Sequence, residues 1–227
     1  MSLSRPSVRT LVLASLATIA VAAVGCSPGE AESAPKAQAV AASDIATSRK
    51  SEPVQRPART EVAVFAGGCF WSVEKAFEGV PGVVSAVSGF TGGRVQNPTY
   101  AQVVRGGTGH VEAVQVTFDP SRVSYRTLVD RFWRSIDPTD PDGQFCDQGP
   151  SYVTAVYVTP GQRAAAQESR SAAAAALEGR MVTPIRPAQR FWPAGREHQD
   201  YARRNPAAYR AYEVGCRRAQ RLAQVWG

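Results

Sequence analysis

Lysine is almost missing from this chain. Of its 227 residues only Lys36, Lys50 and Lys75 are lysines, so the net charge of +7 rests almost wholly on arginine. Such a charge can favour anionic surfaces. No nucleic-acid motif accompanies it, however, and no basic stripe is interleaved with exposed aromatics. The pairs Arg203-Arg204 and Arg217-Arg218 read as solvated helix faces, and nucleic-acid binding is not expected. Histidine is scarcer still: His110 and His198 lie far apart, and Cys26, Cys69, Cys146 and Cys216 form no Cys-x-x-Cys. That scarcity argues against a zinc site and against a thioredoxin-type redox pair. No metal, flavin or nicotinamide motif is visible, and there is no internal repeat. The overall composition is otherwise ordinary for a soluble globule, which argues against collagen-like, disordered or all-membrane classes for the bulk of the chain.

What is present begins with an address. Arg5 and Arg9 precede an uncharged apolar run from Leu11 to Val24, then Gly25-Cys26-Ser27-Pro28. A run of about 14 residues is too short to cross a bilayer and suits a signal-peptide core. Its end resembles a bacterial lipoprotein signal, with Cys26 becoming the lipidated first residue, although Ala23 stands where a leucine is usual. Ordinary secretion after Ala20-Val21-Ala22 is the alternative. Both readings place the protein outside the cytoplasm, in a bacterial cell envelope, anchored to the membrane through Cys26 or periplasmic. Residues 27–60 are rich in Ala, Ser, Pro and Glu and poor in large apolar side chains, so they cannot bury enough surface to offset their ordering entropy. The expected organisation is a signal at 1–26, a flexible linker at 27–60 and one folded domain at 61–227.

Within the domain, periodicity predicts strands over Glu61–Ala66, Val83–Phe90, His110–Phe118 and Tyr152–Thr159, with an edge strand over Ile185–Phe191. Helices are predicted over Cys69–Glu78, a short stretch from Asn97-Pro98-Thr99-Tyr100 to Gly106, Tyr125–Ile136 and the alanine-rich Gln162–Leu177. Asp137–Pro150 reads as loop and the C-terminal remainder as helix and coil. This order implies an α+β fold, a ferredoxin-like split βαβ sheet with helices packed on one face.

Cys69 carries the chemical signal. A strand ends, two glycines permit tight geometry, and the cysteine falls at the first turn of a helix, followed by Phe70 and Trp71. Unpaired N–H groups and the positive end of the helix dipole favour an anion there, so the thiol is expected to titrate low and react as thiolate beside an apolar wall. A small buried core cysteine is the bland alternative.

Gly68-Cys69-Phe70-Trp71 resembles the active-site signature of the A-type peptide methionine sulfoxide reductases. So do Gly89-Phe90-Thr91-Gly92-Gly93, Asn97-Pro98-Thr99-Tyr100, Thr108-Gly109-His110-Val111-Glu112, Asp137-Pro138-Thr139 and Glu197-His198-Gln199-Asp200-Tyr201, in that family's order across the whole domain. The resemblance implies reduction of the S-epimer of methionine sulfoxide, free or in proteins, as repair of oxidative damage. It implies Cys69 as the attacking thiolate and Glu112 as the acid that protonates the sulfoxide oxygen. Tyr100 and Tyr152 would hydrogen-bond that oxygen, Asp147 would organise the site, and Phe70 and Trp71 would receive the substrate methyl. Cys69 would then become a sulfenic acid.

This chain departs from the family pattern at Ser72, where a glycine is frequent, and at Cys146, which precedes Asp147. A sulfenic acid condenses with a nearby thiol to a disulfide. Family habit points to Cys216, on a mobile C-terminal tail; proximity to Asp147 points to Cys146; a relay through both is the third arrangement. The resulting disulfide is expected to be exposed and labile, reduced by thioredoxin or a thioredoxin-like protein, in a monomer. Two other classes compete: a cysteine hydrolase using His110 or His198 as base, and a non-enzymatic lipoprotein that presents a binding surface.

Overall fold

The computed structural model describes residues 59–227; the expected signal, Cys26 and the linker up to residue 58 lie outside the described residues. Strand β1 (Glu61–Ala66) leads through Gly67-Gly68 into helix α1 (Phe70–Phe77), and β2 (Val83–Thr91), α2 (Tyr100–Arg105), β3 (Val111–Phe118) and α3 (Tyr125–Arg134) follow. A two-residue hairpin, β4 (Gly143–Gln144) and β5 (Asp147–Gln148), lies in the stretch read as loop. Then come β6 (Ala155–Val158), α4 (Arg163–Ala176), β7 (Ile185–Pro187), β8 (Trp192–Pro193), α5 (Tyr201–Arg204), α6 (Pro206–Gly215) and α7 (Arg218–Trp226).

Six strands make one mixed sheet in the order β7-β6-β1-β3-β2-β8. β1 runs antiparallel to β3 and β6, and β2 antiparallel to β3, so β3 lies between the two strands that α1 connects. β7 joins one edge parallel to β6, and β8 joins the other antiparallel to β2. The period-2 alternation sorts the strands' side chains between two faces. Ala63, Phe65, Val114, Val116, Phe118, Val156 and Val158 meet α1, α3 and α4 in the main core. Ala66, Val111, Ala113, Ala155 and Tyr157 form a smaller cluster on the other face. At the centre of the main core Phe65 stacks on Phe77 and on Phe132, with ring centroids 5.0 and 4.9 Å apart. The architecture is therefore α+β, a mixed sheet with helices, as the element order implied.

The two glycines before Cys69 answer to space. A Cβ on Gly67 would press on Ile136, Phe132 and Val73, and one on Gly68, whose φ is +77°, would run into the Gln144 side chain. Gln144 is itself fully buried and bridges the backbone of Asp137 in both directions, accepting from its N–H at 2.8 Å and donating to its carbonyl at 2.7 Å. The turn into α1 and the 137–150 segment are thus packed as one piece.

Three expectations need correction. The strand expected from Tyr152 begins only at Ala155, because Glu112 N–H donates to the Ser151 carbonyl at 2.8 Å and Ser151 Oγ donates to the Val103 carbonyl at 2.7 Å, holding residues 149–152 in a turn. The edge strand expected to reach Phe191 stops at Pro187; after Ala188 the chain crosses to the opposite edge, where Trp192–Pro193 pairs with β2. The segment around Cys216 is no loose tail. The Trp226 indole donates to the Ile136 carbonyl at 3.0 Å, Arg221 Nε to Asp137 Oδ2 at 2.7 Å, and the Arg218 guanidinium to the Ser135 carbonyl.

Candidate active site

Cys69 occupies the N-cap position of α1 and is 6% exposed. The adjoining N–H, that of Phe70, donates to Glu112 Oε2 at 2.9 Å, so a buried carboxyl on β3 takes one of the free amides at the helix start. Glu112 is 1% exposed, so its carboxyl lies out of solvent. Burial pushes its pKa up to about 8; the Phe70 N–H opposes this and the Asp147 carboxylate adds to it. A carboxyl that keeps its proton at neutral pH is a proton donor at working pH.

The thiol behaves differently from the sequence expectation. Burial pushes Cys69 up to about 12, and the Glu112 and Asp147 carboxylates push the same way. The Trp71 N–H at the helix start and the Tyr212 hydroxyl pull it down, but they are outweighed. The expected low-titrating thiolate is corrected to a protonated thiol: one amide of the helix start serves Glu112, and loss of water costs the anion more than the Trp71 N–H and the Tyr212 hydroxyl return.

Asp147, on β5, accepts the Tyr212 hydroxyl, and Tyr212 lies close enough to Cys69 to act on its titration. Burial raises Asp147, against the Tyr212 hydroxyl and the Arg218 charge. Tyr100 opens α2 and Tyr152 sits in the 149–152 turn. Both phenols are raised first by burial and then by Glu112, with Cys69 and Asp147 contributing to each, which places the five polar groups in one electrostatic neighbourhood. Around them lies an aromatic shell. Phe70, 1% exposed, backs the site from the core, its ring 6.1 Å from Tyr100 and 5.3 Å from His198. The half-buried Trp71 stacks on Tyr201 at 3.8 Å.

The two remaining cysteines are bonded to one another. Cys146, exposed in the hairpin between β4 and β5, forms a disulfide with Cys216 at the end of α6, while Cys69 is free. A cleft of about 610 Å³ opens beside this bond, lined among others by Phe145, Cys146, Cys216, Arg217 and Arg221. Ser72, one of the departures noted above, accepts the Tyr209 hydroxyl at 3.1 Å.

Sequence reasoning missed Tyr212, the side chain that links Cys69 to Asp147; its signal was its place one helical turn before Cys216. It also missed His198 and Tyr201 as site-wall residues. The hydrolase reading loses its base at His110, whose Nδ1 accepts the Gly93 N–H at 3.2 Å and whose Nε2 lies 2.7 Å from the Val95 carbonyl. His198, lowered by burial, packs 4.3 Å from the Tyr100 ring and makes no hydrogen bond to Cys69.

A free buried thiol, a buried carboxyl and a disulfide in one domain are the parts of a thiol-based oxidoreductase. The family model described as peptide methionine sulfoxide reductase matches residues 61–227. The peptide methionine sulfoxide reductase MsrA 2 of Caulobacter vibrioides is 52% identical over 187 residues, 82% of this chain and 95% of that relative. The MsrA 2 of Rhizobium meliloti is 47% identical over 173 residues, 76% of this chain and 86% of the other. Among solved structures, methionine sulfoxide reductase A of Corynebacterium diphtheriae matches with a TM-score of 0.58 and 35% identity, covering 65% of this chain and 76% of that one. Reduced Mxr1 of Saccharomyces cerevisiae matches with a TM-score of 0.63 and 25% identity over 67% and 89%. The chain belongs to the peptide methionine sulfoxide reductase family, MsrA type, and its activity is that of a peptide-methionine (S)-S-oxide reductase.

Proposed function

We propose that Cys69 reduces the S-epimer of methionine sulfoxide, free and in proteins, and that oxidising equivalents leave through Cys216 and Cys146 to an external dithiol protein. The observation that carries this is the joining of Cys69 to a buried acid on one side and, through Tyr212, to Asp147 and the Cys146–Cys216 pair on the other.

In the first step neutral Glu112 protonates the sulfoxide oxygen, with Tyr100 and Tyr152 as hydrogen-bond partners. Cys69 Sγ attacks the protonated oxygen, an Sγ–O bond forms as the S–O bond of the substrate breaks, and the thiol proton passes to the Glu112 carboxylate. The products are methionine, whose sulfur has gained two electrons, and Cys69 sulfenic acid. Phe70 and Trp71 supply the apolar surface for the methyl group. Cys216 then condenses with the sulfenic acid, releasing water. Cys146 thiolate attacks Cys216 Sγ, breaking its bond to Cys69 and freeing that thiol for another turnover. Support for this order comes from α6, which sets Cys216 one turn beyond Tyr212, and from the exposure of Cys146 beside an open cleft. Thioredoxin or a thioredoxin-like protein is the reductant this chemistry suits. We further read the central β6-β1-β3-β2 order as the ferredoxin-like split βαβ arrangement, and the protein as a monomer of the cell envelope, lipidated at Cys26 or periplasmic, acting in repair of oxidised proteins.

The test is mass spectrometry of thiol pairs after one turnover without reductant. Wild type is expected to end with Cys146 bonded to Cys216 and Cys69 free. Cys146→Ser is expected to stop with Cys69 bonded to Cys216, and Cys216→Ser to lose that bond. If neither substitution changes the bonded state of Cys69, the scheme is wrong. Membrane-fraction retention of wild type but not Cys26→Ala would support the lipid anchor; equal solubility of the two would remove it.

A further inference from the structure

Away from Cys69, a second carboxyl is as deeply buried as Glu112. Glu74, on α1, is 1% exposed. Its Oε2 accepts the Ser88 hydroxyl at 3.1 Å and the Asp200 N–H at 3.0 Å, whereas its Oε1 is shut from solvent with no partner. One turn on, Glu78 Oε1 is shut away in the same manner. Asp200, at the start of α5, completes the group: one oxygen from each of the three side chains lies within 4.8 Å of the other two. A cleft of about 360 Å³ opens onto Glu78 and Asp200, lined also by Gly79, Ser85 and Arg203 among others, with Glu74 buried behind them.

Three carboxyl groups this close repel one another once ionised, and an unpaired carboxylate oxygen out of water is costly. Among the described residues the one cation bonded to them is Arg203, 2.9 Å from Asp200 Oδ1, and its side chain is 68% exposed. It leaves Glu74 Oε1 unanswered. Burial pushes Glu74 up to about 7, with Glu78 and Asp200 adding to the rise, and Glu78 is raised by burial and by Asp200. Such a group is satisfied by a proton or by a metal ion. Three carboxylates without nitrogen or sulfur suit a hard cation that takes oxygen ligands, not zinc.

We propose that Glu74, Glu78 and Asp200 bind a hard divalent cation, Ca²⁺ foremost, which enters through the adjoining cleft. The exposed Arg203 side chain can turn away at small cost. Carbonyls and water at the cleft would fill the remaining coordination positions. The ion would tie the end of α1 to the start of α5, and the residue after Asp200 is Tyr201, whose ring stacks on Trp71. The site would thereby brace one wall of the Cys69 pocket. The proposal stands independently of the redox scheme, since none of its three ligands takes part in that scheme.

The experiment is titration of the full-length protein, stripped of metal by chelator, with Ca²⁺, Mg²⁺ and Mn²⁺ in turn, followed by calorimetry and thermal melting. One Ca²⁺ per chain is expected, with Kd of roughly 10⁻⁵ to 10⁻³ M, and a melting temperature that climbs with Ca²⁺ concentration. Glu78→Gln and Asp200→Asn, at half-buried positions, are expected to weaken binding at least tenfold while the metal-free proteins still melt cooperatively. Glu74→Gln is expected to abolish the Ca²⁺ dependence of melting. Mg²⁺ or Mn²⁺ binding that the same substitutions remove would support the site. No heat and no melting shift up to about 10 mM of any ion, above the range of weak calcium modules, would overturn it and leave a proton as the occupant. Binding that survives all three substitutions would overturn it too.

Discussion

Replacing Glu112 by glutamine separates its two properties, proton donation and buried charge. The amide oxygen can still accept the Phe70 N–H, so the turn into α1 keeps its bond. The transferable proton is gone. General acid catalysis contributes about 10²–10⁴ in rate, and a loss of that size is expected in single-turnover reduction of an S-sulfoxide peptide, followed by chromatography of the methionine formed. The wild-type rate should fall as pH rises through about 8, where Glu112 gives up its proton, and the variant should lack that alkaline limb. Stability supplies an independent check. A carboxyl raised by folding from 4.5 to about 8 favours the folded state below pH 4.5 and loses that advantage progressively as pH climbs to 8. Each pH unit in that window costs wild type roughly 1.4 kcal/mol relative to the variant, about 5 kcal/mol in all. Urea unfolding of both proteins at pH 5 and pH 8.5 measures the difference, and the shared contribution of Glu74 cancels. A variant that keeps a tenth of the wild-type rate would refute Glu112 as proton donor. A stability difference that does not move with pH would refute the buried-acid account.

Tyr212→Phe deletes the hydroxyl that joins Asp147 to Cys69. A hydrogen bond to a charged group is worth about 1.5–3 kcal/mol, so rapid-quench assays should show the sulfoxide-reduction step slowed roughly 10–100-fold with KM little altered. Gly68→Ala forces a Cβ against Gln144 at a positive φ and should lower stability by about 2 kcal/mol or more in denaturant titration. Phe132→Ala empties the stack on Phe65 and should cost about 3–5 kcal/mol by the same measurement, while activity of the remaining folded fraction persists.

The helices and the long strands were legible because their apolar periods are strong. Leu128, Val129, Phe132 and Trp133 mark one face of α3, and all four are buried. The limits of β6 and β7 were not legible, since they depend on hydrogen bonds from Glu112 and Ser151 and on the crossing of the chain at Ala188. Cys69 could be picked out from its glycines and aromatics, and its buried acid from the motif around Glu112. Its protonation could not. That depends on which group takes the Phe70 N–H and on how much water is excluded, and both are tertiary facts. Tyr212 and the Glu74–Glu78–Asp200 group escaped for a similar reason, because Tyr212 meets Asp147, and Asp200 meets the two glutamates, across more than sixty residues of sequence.

A thiol held at about 12 looks ill-suited to a nucleophile, yet it fits a site that must wait for its substrate. At neutral pH the thiol so raised keeps its proton, so the resting enzyme presents a poorly reactive sulfur to stray oxidants and to the disulfide of Cys146 and Cys216. The carboxylates that raise the thiol act through charge, and Glu112, itself about 8, is largely neutral at that pH and withdraws most of its share. In the proposed scheme, once a sulfoxide has taken the Glu112 proton, the carboxylate left behind can receive the thiol proton. Donation to oxygen and deprotonation of sulfur are then halves of one exchange through a single carboxyl. The thiolate arises where its target has just been activated. On this account the low pKa that a helix terminus could have conferred would be a liability, and the burial of Cys69 beside a protonated Glu112 is what trades standing reactivity for reactivity on demand.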